Sequence, residues 1–119
     1  MKITAKHAIA DITKVNTDRV ENIELVERSL VESARRLNLK IVKGPISHKF
    51  EPQGLTSIVL LSTSHISIHT YPELGLVKCD AFSCGKECPK GAIEYLAEVF
   101  QGDIDNMRVI ERGDIDVKL

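Results

Sequence analysis

Apolar and polar positions recur along this chain with two different periods. From Asn22 to Leu37 the apolar residues Ile23, Val26, Leu30, Ala34 and Leu37 return every three or four positions, opposite Glu24, Glu27, Glu32 and Arg35. That spacing predicts one amphipathic helix. Asn22 is placed to cap it, because its side-chain oxygen can accept an unpaired first-turn N–H, and Glu24 suits the positive end of the dipole. A second helix is expected after Cys88-Pro89, running to about Gln101 on the stripe Ala92, Tyr95, Leu96, Val99 and Phe100, with Gly102 as its stop. The remaining segments read as extended. Ile3 to Ile12 carries Ile3, Ala5, Ala8, Ala10 and Ile12, an imperfect alternation with a bulge expected near Lys6-His7. Leu39 to Val42, Leu55 to Leu61, His65 to Tyr71 and Gly75 to Ser83 follow, broken at Gly44-Pro45, Pro52-Gln53-Gly54 and Pro72-Glu73. Met107 to Glu111 is a last strand, and the polar tail from Arg112 is expected to fray. In His65-Ile66-Ser67-Ile68-His69, strict alternation sends His65, Ser67 and His69 to one face and the isoleucines to the other. The pattern predicts an α+β fold: a two-layer α/β sandwich, mostly antiparallel, with two helices on one face, in the order βαβββαβ.

Length and composition narrow the function. The 119 residues contain no internal repeat, low-complexity tract or linker, so residues 1–119 read as one domain. With 43% hydrophobic and 28% charged residues the chain resembles an ordinary globular protein. A net charge of −1 offers no basic field for nucleic acid. The longest mainly apolar run, Ile58 to Leu61, is far short of the roughly 20 residues that span a bilayer, and no signal-like apolar stretch opens the chain. A cytoplasmic protein with no membrane partner is expected. Cys79, Cys84 and Cys88, an odd number within ten residues, read as reduced thiols rather than a disulfide framework.

Candidate chemistry is concentrated in Ser62-Thr63-Ser64-His65, His69, Asp80 and Ser83-Cys84-Gly85. Taken singly these residues have ordinary explanations: three hydroxyl residues as a turn, His69 as a structural imidazole, Cys84 as a small buried side chain. A metal is not expected from the thiols, because they lack the paired spacing of a structural zinc site. His65 and His69, four apart on a strand, would stand about 13 Å from each other. A Cys84–His69 nucleophile pair is conceivable, but no hydrolase signature accompanies it.

Together the residues say more. Ser64-His65-Ile66-Ser67-Ile68-His69-Thr70-Tyr71-Pro72-Glu73, followed by Asp80-Ala81-Phe82-Ser83-Cys84-Gly85, closely resembles the small prokaryotic class of S-adenosylmethionine decarboxylase. The likeness runs upstream through Pro52-Gln53-Gly54, His48-Lys49-Phe50 and the helix at 22–37 to Lys6-His7. It implies a proenzyme that cleaves itself between Thr63 and Ser64, giving a β chain of residues 1–63 and an α chain of residues 64–119. Attack of the Ser64 hydroxyl on the Thr63 carbonyl would give an ester, elimination a dehydroalanine, and hydrolysis a pyruvoyl group in place of Ser64. This group, and no metal, would be the cofactor. Its ketone would form a Schiff base with the substrate amine and accept the electrons released with carbon dioxide. The resemblance further implies that His69 moves a proton during processing and that Thr56 takes the place of a processing serine. Cys84 would return a proton to the carbanion, a role that suits an ordinary thiol at neutral pH. Phe50 would stack on the adenine, Glu73 would accept from the ribose hydroxyls, and Tyr71 would line the substrate site. The implied assembly is a homodimer, (αβ)2 after cleavage, with each site near the interface and built from both chains. The product would supply spermidine synthesis.

Three positions depart from the family pattern. Thr63 stands where Glu is usual; the chemistry needs its carbonyl, so cleavage is still expected, though slower because a β-branched residue stiffens the backbone. Asp11-Ile12-Thr13-Lys14 replaces a stretch that commonly holds an aromatic residue and a cysteine. Tyr71 stands where Trp or Phe is common. Two alternatives therefore stay open at this point: a pyruvoyl enzyme acting on arginine or another basic amino acid, and an unprocessed homologue that binds a small molecule.

Overall fold

The computed structural model describes residues 2–113 and 115–116. Its elements are β1 (Lys2–Ile3), β2 (Lys6–Thr13), α1 (Thr17–Glu21), α2 (Ile23–Arg36), β3 (Ile41–Lys49), β4 (Leu55–Leu61), β5 (His65–Tyr71), a 3-10 turn (Pro72–Leu74), β6 (Leu76–Ser83), α3 (Lys90–Phe100), β7 (Asp103–Glu111) and β8 (Ile115–Asp116). Six strands form one sheet in the order β3-β4-β5-β6-β2-β7, every neighbouring pair antiparallel. The fold is thus α+β. All four extended stretches between α2 and α3 are strands, one more than βαβββαβ allows, and there are three helices rather than two.

Strand alternation decides where the core lies. Ala8, Ala10, Ile12, Val59, Ile66, Ile68, Val77 and Ala81 share one face and are buried against Val26, Leu30 and Ala34 of α2 and Ile93, Leu96 and Phe100 of α3. Each fully buried Leu, Ile or Phe side chain contributes about 1.5–3 kcal/mol. Asn22 caps α2 as expected, its side-chain oxygen accepting the Leu25 N–H at 3.1 Å. Ser29 and Ser33 tolerate burial because each hydroxyl donates to a carbonyl one turn back, Leu25 and Ser29 respectively, at 2.7 Å. Among the described residues no helix is long and apolar enough to cross a membrane.

Several boundaries differ from the sequence expectation, each for a local reason. The first strand breaks at Thr4-Ala5, not at Lys6-His7, and its irregularity falls between Ile9 and Asp11 opposite β7. Helix α1, with Asn16 as its cap, is too short to show a helical period. Strand β3 runs through Gly44-Pro45, because it lies at the sheet edge and shifts register there, where a missing N–H is tolerated. Strand β7 begins four residues before Met107. At the end of α3 it is Gln101, at φ 57°, that adopts the left-handed cap. Gly102 is required for another reason: a β-carbon there would lie 2.7 Å from the Thr13 carbonyl oxygen and 2.7 Å from Ile12. Past β7 the chain does not fray at Arg112. The Arg112 N–H donates to the Ala5 carbonyl at 2.8 Å, and Ile115–Asp116 pairs with Lys2–Ile3. Residues 114 and 117–119, part of the same expected tail, lie outside the described residues.

Candidate active site

The helices cover one face of the sheet and no described element covers the other. Read across the strands β4, β5, β6 and β2, that open face carries three rows: Leu60, His65, Phe82 and His7; then Ile58, Ser67, Asp80 and Ile9; then Thr56, His69, Lys78 and Asp11. The outward row of His65, Ser67 and His69 is where alternation placed it.

At one end of the sheet a groove of about 450 Å³ is lined by Phe50, Gln53, Gly54, Thr56, His69, Tyr71 and Glu73, among others. The strands fix its floor: the buried Thr70 hydroxyl accepts the Leu55 N–H at 2.9 Å. Gly54, at φ 104°, turns the chain into β4, and its carbonyl accepts the Phe50 N–H at 2.9 Å. Phe50 is 47% exposed and meets the His48 ring edge-on with centroids 4.6 Å apart, which leaves ring surface for a flat ligand. Thr56 and His69 are cross-strand partners, with Oγ1 and Nδ1 2.9 Å apart, so Nε2 is the nitrogen left for proton transfer. Glu73 sits exposed on the 3-10 turn.

At the opposite end of β5 lies the Ser62–Ser64 turn. Leu61 and Ser64 exchange backbone hydrogen bonds at 2.9 and 3.5 Å around Ser62 and Thr63, a two-residue hairpin connection. Thr63 is exposed and Ser64 is buried. The Ser64 hydroxyl oxygen accepts the Cys84 N–H at 3.1 Å, and the Ser83 hydroxyl accepts the Gly85 N–H at 3.0 Å. The half-buried Cys84 also borders a small cavity of about 180 Å³ with Phe82 and Arg112. Ser64 and Cys84, twenty residues apart, are therefore neighbours.

The sequence-predicted residues form two groups. Phe50, Thr56, His69, Tyr71 and Glu73 share the groove, and Ser64 shares the turn with Thr63 and Cys84. Five residues of extended chain separate Ser64 from His69, about 16 Å at the strand rise. One copy does not bring His69 to Ser64. The three cysteines are free. Cys79 points into the core, and burial first, then the carboxylates of Asp80 and Asp11, pushes its thiol up to about 12. A buried thiol held protonated in this way is not a thiolate nucleophile at neutral pH.

Between the two groups lies a cluster in which His65, Ser67 and Asp80, noted separately in the sequence, meet His7, a partner the sequence reading missed. His7 Nε2 and His65 Nε2 stand 2.5 and 2.9 Å from the same oxygen of Asp80, while the Ser67 hydroxyl donates to the other. Burial works against ionisation of Asp80, but the Ser67 hydroxyl and the two imidazoles outweigh it and hold the carboxyl below its ordinary value. His7 is 58 positions from His65 and meets it only because β2 inserts beside β6. The available signal was parity: all three residues occupy outward positions on their strands.

Comparison with known proteins identifies the family. The family model described as S-adenosylmethionine decarboxylase matches residues 6–113. An S-adenosylmethionine decarboxylase proenzyme from Pelotomaculum thermopropionicum is 39% identical over 114 residues, covering 95% of this chain and 90% of that protein. One from Moorella thermoacetica is 35% identical over 117 residues, covering 98% and 93%. The crystal structure of the adenosylmethionine decarboxylase from Aquifex aeolicus superposes with a TM-score of 0.85 at 31% identity, over 100% of this chain and 98% of that one. With the family model spanning most of the sequence and the same fold found in a solved relative, this chain belongs to the S-adenosylmethionine decarboxylase family.

Proposed function

We propose that the chain is a self-cleaving decarboxylase of S-adenosylmethionine whose product is the aminopropyl donor for spermidine. The observation that carries this reading is the contact between Ser64 and Cys84 at the hairpin turn, together with a groove at the other end of the sheet whose Phe50 and Glu73 suit an adenosyl group. The relatives' names give the same substrate. In processing, Ser64 Oγ attacks the Thr63 carbonyl, and the acyl group moves from the amide nitrogen to oxygen as the hydroxyl proton passes to that nitrogen. Elimination across Cα–Cβ of Ser64 then releases residues 1–63 with a carboxylate end, and hydrolysis of the enamine frees ammonia and leaves a ketone at the head of residues 64–119. The Cys84 N–H fixes the rotamer of Ser64, and the same loop keeps the Cys84 thiol beside the reacting centre, where it can return a proton. The pyruvoyl group so formed supplies an electron sink for carbon dioxide loss. Phe50 and Tyr71 give aromatic surface for the adenine, and Glu73 accepts hydroxyl donors.

The separation of the two groups supports a homodimer, (αβ)2 after cleavage. A twofold axis through the open face, running across the strands, brings the Ser64 end of one copy over the groove of the other and sets His69 where processing needs it. No step requires a membrane, a nucleic acid or a metal, and the reading places the enzyme in the cytoplasm. The test is a denaturing intact-mass spectrum with and without borohydride and S-adenosylmethionine. Two fragments dividing at Thr63–Ser64, with a reducible adduct on the fragment from residue 64, are expected. A single uncut chain overturns the reading, and an adduct formed with arginine but not with S-adenosylmethionine overturns the substrate.

A further inference from the structure

The His7–His65–Asp80 cluster shares no residue with the groove or with Ser64 and Cys84, and the proposed reaction makes no use of it. Its geometry is that of a cation site. One ligand atom from each residue lies within 4.8 Å of the other two. The three come from β2, β5 and β6, which lie side by side in a ladder of paired residues, so their backbones are fixed before any ligand arrives. Phe82 orders the imidazoles: His65 stacks on it with centroids 5.9 Å apart, and His7 meets its edge at 5.5 Å. Ser67 donates to the second oxygen of Asp80, the hydrogen bond that orients a coordinating carboxylate. In one copy the side chains are 22–33% exposed, on the face that the proposed dimer covers, so the ion would sit between the two sheets.

We infer that His7, His65 and Asp80 form a binding site for a divalent transition-metal ion, with two imidazole nitrogens and one carboxylate oxygen as ligands and water completing the shell. Two imidazoles among three ligands favour zinc, cobalt or nickel over magnesium or calcium, which take oxygen. Zinc–nitrogen bonds of about 2.0–2.1 Å place tetrahedral ligand atoms about 3.3 Å apart. The two nitrogens now stand 2.5 and 2.9 Å from Asp80 Oδ2. The ion therefore needs each imidazole nitrogen and the Asp80 oxygen to part by less than about 1 Å. On binding, the ion takes the place of the hydrogen bonds between Asp80 and the two imidazoles.

The experiment is equilibrium dialysis of chelator-treated protein against zinc chloride and, separately, cobalt chloride, with metal per chain measured after gel filtration. Expected is one ion per chain, a cobalt spectrum lacking thiolate-to-metal charge transfer, and unchanged binding in the Cys84→Ser/Cys88→Ser double variant. His7→Ala should weaken zinc binding at least tenfold, and Ser67→Ala about tenfold through the lost orienting bond. Circular dichroism reports whether each variant folds; where His7→Ala does not, Asp80→Asn makes the same test. No ion retained, binding lost with the cysteines, or equal affinity in the folded His7 and Asp80 variants overturns the site and leaves the cluster a hydrogen-bond network only.

Discussion

At the scale of the residue, the buried hydroxyl of Ser64 matters because one backbone N–H holds it. Ser64→Ala is expected to leave a single full-length chain on a denaturing gel while folding normally, since it removes one oxygen and no packing. Thr63 is exposed and makes no demand on the core, so its β-branched side chain acts only on the local backbone. Thr63→Ala should raise the cleavage rate severalfold, measured as the disappearance of the uncut chain. Asp80 bears on stability. Its folded value lies below the ordinary carboxylate value, so the stability it contributes is complete above about pH 4 and is lost as pH falls through the lower, folded value. Asp80→Asn should lower the melting temperature at pH 7 and flatten its acid dependence, read by thermal denaturation between pH 2 and 7 at roughly unit intervals. Residue identities were legible in the sequence wherever a run of neighbours carried them, as in Ser64 to Glu73. The partnership of His7 with Asp80 was not, because no local pattern records which distant strand will lie alongside.

At the scale of the element, burial decided what could be foreseen. Helix α2 has fourteen residues, a capping Asn and a clean apolar stripe, and its sequence limits agree with the structure to within one residue at each end. Strand β3 was cut short because Gly44-Pro45 reads as a break, and only the edge position explains why the strand survives it. Gly102 shows the same limit. A glycine after a helix reads as a cap, whereas here it makes room for the Thr13 carbonyl. Gly102→Ala is expected to cost about 1–3 kcal/mol as backbone yields to the added methyl, more than the roughly 1 kcal/mol expected for Asn22→Ala at the cap of α2. Urea denaturation of the two variants decides the order.

At the scale of the whole molecule, the two groups of site residues make a prediction that a site within one copy does not. Co-expressed chains, one carrying Ser64→Ala and the other Glu73→Gln, are each defective in one half. In mixed dimers one of the two sites would unite the intact halves. Random pairing should then restore roughly a quarter of wild-type turnover per dimer, since about half the dimers are mixed and each has one good site. No recovery in a mixture shown by mass spectrometry to contain mixed dimers places each site within a single chain.

The turn at Ser62 and Thr63 has one more consequence. It joins two strands paired from Thr56–His69 to Leu60–His65. Cleavage at that turn would sever the covalent link while leaving the ladder intact, turning a unimolecular fold into a complex of two polypeptides. Unfolding would then release two chains that must find each other again, so the melting temperature of the mature form would rise with protein concentration even within one protomer. The broken peptide bond has no route to reform, so refolding after denaturation would depend on a bimolecular encounter that the precursor never faced. The order of events would be one-way: fold as one chain, then cut.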